Sequence, residues 1–179
     1  MRTSLIAGVA LIGWLGSPLP RVASAQDVFQ DPRGRFSIDL PPGFTLSSEQ
    51  LDRIYVFQIP DARLFVSVAP GTRDLDRLWR LALDDFTGAG VPPPPAEAVT
   101  DLEVNGNPAR MAWYGFDIGD GRAKVSYTVL LGAVVLQDGG MGVVCFSMLN
   151  DRAADQWGDR LRQAFRTIRV AGAPVISAI

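Results

Sequence analysis

The sequence predicts an α+β fold: a single antiparallel β-sheet of about six or seven strands with helices packed on it. Three observations lead there. Strand-like runs are joined by turns too short for parallel crossovers, among them Pro60-Asp61, Asn105-Gly106 and Asp138-Gly139-Gly140. The hydrophobic period changes from that of a strand to that of a helix only twice, after Asp74 and after Asn150. The resulting order of strands, helix, hairpin-linked strands and helix is not the βαβα alternation of a doubly wound parallel sheet.

Each element has its own warrant. After a polar lead-in over residues 26–34, Phe36-Ser37-Ile38-Asp39-Leu40 alternates apolar and polar, and Pro41-Pro42-Gly43 stops it. Residues 54–59 and 64–68 are rich in β-branched and aromatic side chains and form a hairpin across Pro60-Asp61. Leu75, Leu78, Trp79, Ala82 and Phe86 then share one helical face, with Asp74 or Thr72 as N-cap and Gly88 at the end. Pro92 to Pro95 read as an extended, stiff surface crossover. Residues 99–104 and 108–118 are a hairpin around Asn105-Gly106, and Gly119-Asp120-Gly121 makes the next turn. Residues 124–136 form either one strand bulged at Gly132 or two pieces. Residues 141–148 follow as a strand. Asn150 or Asp151 caps a last helix whose face carries Ala153, Trp157, Leu161, Ala164, Phe165 and Ile168, and residues 171–179 read as a frayed tail.

The N-terminus reads as a signal peptide over residues 1–25. Arg2 supplies the positive region, residues 5–15 the apolar run, and Ala23-Ser24-Ala25 the small-residue cleavage site, so cleavage falls between Ala25 and Gln26. The alternative, an uncleaved anchor, fits poorly: the run is broken by Gly8, Gly13 and Gly16 and stops at Pro18, short of the roughly 20 apolar residues of a spanning helix. No Cys follows the run for lipidation, and no Arg-Arg pair precedes it. Residues 26–179 are then one exported, soluble domain, periplasmic or extracellular. Its charge falls from −2 to −4, because Arg2 and Arg21 leave and no acid does. A mildly acidic domain without a basic patch is a poor partner for nucleic acid.

Composition prunes the chemistry. Histidine is absent, which removes Ser-His-Asp triads, Cys-His pairs, histidine bases and histidine-containing zinc sites. The single Cys145 sits in an apolar run and reads as a buried, inert thiol with no internal disulfide partner. Asp84 and Asp85 are adjacent on a helix and about 100° apart, so they suit a solvated face better than a paired-carboxylate site. Asp117 and Asp120 lack the calcium-loop spacing, and Ser126 with Lys124, the only lysine, has no visible oxyanion loop. No catalytic residue, metal site or cofactor is expected.

Asp31-Pro32-Arg33-Gly34-Arg35-Phe36-Ser37-Ile38, followed by Pro41-Pro42-Gly43-Phe44, resembles the opening of PsbP-like and DcrB-like exported proteins. Val104-Asn105-Gly106-Asn107-Pro108-Ala109 resembles their mid-sheet hairpin, and the element order matches from Phe29 to Val170. The resemblance implies an α/β/α sandwich and an accessory, binding or assembly role, and it carries over no active-site residues. Three function classes follow. The first is a non-catalytic protein engaging a partner in the cell envelope, with Trp113, Tyr114 and Phe116 as candidate partner-binding residues. Trp113 and Tyr114 point to opposite faces of one strand, so one is exposed unless a helix covers each face. The second is a small-molecule or lipid-binding module with a pocket between sheet and helix, lined by residues such as Phe65, Trp79 and Phe86. The third is a carboxylate-based hydrolase.

Overall fold

The computed structural model describes residues 27–51, 53–119 and 124–172. The signal peptide, its Ala25/Gln26 junction, Asp120 and the tail beyond Gly172 lie outside the described residues. Ten strands and two α-helices follow in chain order: β1 (Asp27–Gln30), β2 (Phe36–Leu40), β3 (Thr45–Gln50), β4 (Ile54–Ile59), β5 (Ala62–Pro70), α1 (Leu75–Gly88), β6 (Val99–Val104), β7 (Asn107–Ile118), β8 (Val125–Leu136), β9 (Met141–Asn150), α2 (Asp151–Arg166) and β10 (Arg169–Val170).

Seven strands form the main sheet in the order β3-β4-β5-β9-β8-β7-β6, antiparallel throughout. The expectation of a single sheet is corrected here: β1, β2 and β10 form a second, three-stranded antiparallel sheet. Alternation in Phe36–Leu40 reports that one face is buried and says nothing about which strand lies beside it. The polar-looking start of the chain is also a strand, because Phe29 packs on Phe36, Tyr55 and Phe57 at ring-centroid distances of 5.9, 5.0 and 4.8 Å. Thr45–Gln50, also unanticipated, is a poorly alternating edge strand with an irregular register between Leu46 and Ser48. Residues 125–136 are one strand, and its pairing runs without interruption through Gly132 on both sides. Gly132 is therefore no bulge: a Cβ there would stand 2.4 Å from the Phe165 ring, so the glycine lets α2 approach the sheet.

The layers follow from alternation. One face of the main sheet carries Val129, Leu131, Ala133 and Val135 against Leu78, Trp79, Ala82 and Phe86 of α1. The other carries Leu130, Val134, Leu136, Val143 and Cys145 against Leu161, Ala164 and Phe165 of α2, with Phe36 and Ile38 of the small sheet on the same side. Covered on both faces, Val129 to Leu136 are buried without a break. Each fully buried aliphatic side chain in that run contributes roughly 1.5–3 kcal/mol. The helices begin where the sequence places their caps: Asp74 accepts from the Arg77 amide at 2.7 Å and Asn150 from the Ala153 amide at 2.9 Å.

Polar contacts tie the layers together. Asp31, buried, accepts both guanidinium N–H groups of Arg35 at 2.7 Å and the Tyr55 hydroxyl, linking the small sheet to the main one. Burial alone would raise the Asp31 pKa, but the hydrogen bonds from Arg35 and Tyr55 outweigh it and hold the carboxyl below its ordinary value. Burial and the hydrogen bond to Asp31 push Tyr55 up to about 12. Arg169 Nη2 meets Asp39 at 2.9 Å, and Asn105 Nδ2 donates to the Ile168 carbonyl at 3.0 Å at the end of α2.

Candidate functional site

The β7–β8 hairpin reaches beyond both helices, and its outer end is where the covering stops. Tyr114 is the last buried residue of β7 on the α1 side, its hydroxyl donating to the Pro92 carbonyl at 2.7 Å, and the half-buried Phe116 packs at the edge of the same core. Further out on that face Phe116 stacks on Tyr127 with ring centroids 5.9 Å apart. Register then pairs Ile118 with Val125, which are 50% and 46% exposed. Met148 pairs with Val129 on the same face and is 38% exposed. A half-buried aromatic pair at the edge of the α1-side core, flanked by three exposed apolar side chains, makes an apolar surface that the described elements leave partly open. The opposite face of the hairpin end is held by charge: Asp117 pairs with Lys124 at 2.8 Å and accepts from the Ser126 hydroxyl at 2.7 Å, contacts that lower the Asp117 pKa.

On the α2 side, strand and helix diverge around a cavity of about 330 Å³ bounded by Trp113, Thr128, Ala154, Asp155, Gly158, Asp159 and Arg162. Trp113 is its aromatic wall and is half-buried. Its ring reaches the helix because residue 158 is glycine; a Cβ there would lie 2.8 Å from the ring. The Arg162 guanidinium stands 5.0 Å above the Trp113 ring and pairs with Asp159.

Strand alternation thus separates Trp113 from Tyr114 and Phe116, the other two aromatic residues expected to bind a partner, which differ only in how far they lie from the covered core. Trp113 faces the α2 cavity, Tyr114 is buried on the α1 side, and Phe116 belongs to the apolar hairpin surface. Helices cover both faces at Trp113 and Tyr114, the second of the two arrangements the sequence allowed. The residues expected to line a sheet–helix pocket are packed instead: Phe86 meets Phe146 edge-on at 4.1 Å, Phe65 stacks on Phe146 at 5.6 Å, and Trp79 is buried with Arg110 above it. Ile118, Val125 and Met148 were missed although alternation was visible around them, because nothing local says where a covering helix ends. Cys145 is fully buried, which raises its pKa and leaves the thiol protonated. Among the described residues no group of three or more Cys, Asp and Glu side chains is placed to hold a metal ion.

No family model matches the chain, and no curated protein matches it in sequence. Solved structures do match. PsbP (CyanoP) of Synechocystis sp. PCC 6803 is similar over 87% of this chain and 98% of its own, with a TM-score of 0.58 at 12% identity. A protein of Bacteroides thetaiotaomicron is similar over 82% of this chain with a TM-score of 0.54 at 12% identity, and this chain spans 49% of its length. LpqN of Mycobacterium tuberculosis, described as involved in cell envelope biogenesis, is similar over 82% of this chain and 90% of its own, with a TM-score of 0.51 at 15% identity. The fold is PsbP-like, in keeping with the resemblance carried by residues 31–44 and 104–109. Among the described residues no helix is long and apolar enough to cross a membrane.

Proposed function

We propose that this chain is an exported, non-catalytic binding or accessory protein that engages a protein partner in the cell envelope. The observation that carries the reading is the uncovered apolar end of the β7–β8 hairpin, where Phe116 and Tyr127 stack between the exposed Ile118, Val125 and Met148. The exposed Ile118, Val125 and Met148 gain by burial against another macromolecule. The leader-like residues 1–25 support export, and the fold shared with LpqN agrees with an envelope setting. The absence of histidine supports recognition in place of acid–base chemistry. Phe116 is then a contact residue, and Tyr114 holds the strand beneath it through Pro92.

A photo-crosslinking residue at position 118, in protein expressed in its own cell envelope, tests this. The expected result is a discrete cross-linked protein, lost when Val125→Asn is added, with Gln26 as the N-terminal residue of the recovered chain. Labelling that yields no discrete product, or one unaffected by Val125→Asn, overturns the assignment of the surface. A chain recovered with Met1 intact from the cytoplasm overturns export.

A further inference from the structure

The cavity on the α2 face of the sheet lies opposite the apolar hairpin surface, and nothing in the partner proposal uses it. Its chemistry is specific. The wall is an indole ring whose edge seats against Gly158, and the small Ala154 lines the same space one turn earlier on the helix. At about 330 Å³ it lies within the range of roughly 300–1,000 Å³ typical of small-ligand sites.

The face of the Trp113 ring is already occupied by a cation of the protein itself, the Arg162 guanidinium 5.0 Å away. The ring's negative face therefore accepts a planar organic cation in this geometry. Carboxylates surround it. Asp155 and Asp159 line the cavity, Asp151 continues the row one turn earlier on α2, and all three are exposed. Like charges four residues apart weaken a helix. Asp151 is compensated by the helix N-terminus and Asp159 by Arg162, whereas Asp155 is in neither position. The Asp155 carboxylate and the indole thus bound the same space from two sides.

We infer that this cavity binds an organic cation, an alkylguanidinium or alkylammonium group, which takes the face of Trp113 from Arg162 and pairs with Asp155. Arg162 remains on Asp159 when it is displaced. The same chemistry is offered by a free amine and by an arginine or lysine side chain of a peptide.

Fluorine NMR of the full chain labelled with fluorotryptophan tests the inference, the Trp113 resonance being assigned with Trp113→Phe. Three probes are titrated: n-butylguanidinium, its neutral isostere n-butylurea, and a blocked Gly-Arg-Gly peptide. The expected result is a saturable shift of the Trp113 resonance with n-butylguanidinium and none with n-butylurea. Asp155→Asn, on an exposed helical position, weakens binding about two- to fivefold, the range of a solvent-exposed ion pair. Arg162→Gln strengthens it by a similar factor because the competing cation is gone, a sign that mere loss of packing would not produce. Tighter binding of the peptide assigns the cation to a chain, and equal or weaker binding assigns it to a free amine. No shift at Trp113, an equal shift with n-butylurea, or unchanged affinity in Asp155→Asn overturns the inference.

Discussion

The inner and outer halves of the β7–β8 hairpin share two strands and one unbroken register and differ in what covers them. In the inner half, Val129 to Leu136 are buried on both faces between α1 and α2. In the outer half, Ile118 and Val125 pair just as closely and are about half exposed. Apolar side chains at equivalent positions of one ladder are thus buried core in one half and half exposed in the other. The teaching is that composition and pairing do not separate core from surface; the reach of the helices does.

Substitution at the inner half has the largest expected effect. Leu130→Ala removes a fully buried side chain against α2 and costs about 2–5 kcal/mol in denaturant unfolding. A cost below about 1 kcal/mol, on the order of a single exposed contact, breaks the claim that this half is core. Gly132→Ala tests how closely α2 approaches: the new Cβ meets the Phe165 ring, at an expected cost of about 1–3 kcal/mol in the same measurement.

The Asp31 lock predicts a pH signature. The Asp31 pKa is lower in the folded chain than in the unfolded one, so its stabilisation is complete above the ordinary carboxylate range near pH 4 and is lost as pH falls through the lowered value. Urea melts from pH 6 to pH 2 should show a weaker acid dependence in Asp31→Asn, at lower stability throughout. Tyr55, pushed up to about 12, acts in the opposite sense: its contribution holds below pH 10 and is lost between about 10 and 12, and Tyr55→Phe should flatten the alkaline limb.

The smallest effect on stability belongs to the outer half. Ile118→Ser with Val125→Thr should change unfolding free energy by no more than about 0.5 kcal/mol per site and yet, if the proposed surface is used, abolish cross-linking to a partner. A large loss of stability from this pair would make the outer half core after all and erase the contrast.

Much of the architecture was legible in the chain. The faces of α1 and α2, the caps Asp74 and Asn150 and the Asn105-Gly106 hairpin all follow from period and turn chemistry, which act within a few residues. The second sheet was not legible, because β2 meets β10 across most of the chain and alternation carries no address for a partner strand. Gly132 resembled a bulge from its neighbours alone; its reason is the Phe165 ring, a residue of another layer. For the candidate site, Trp113 and Phe116 were visible as strand aromatics, while Ile118, Val125, Asp155 and Arg162 were not, since each acquires its setting from an element remote in sequence.

Local pattern and composition suffice for the α+β class, the two amphipathic helices and the loss of histidine chemistry. Packing between remote elements settles which strands are neighbours, that Trp113 and Phe116 lie on opposite faces, and that, among the described residues, Ile118 and Val125 stay half exposed while a cavity opens beside α2. The physical reason is range: hydrogen-bonded turns and helical period act over a few residues, whereas burial depends on which distant surface arrives on top.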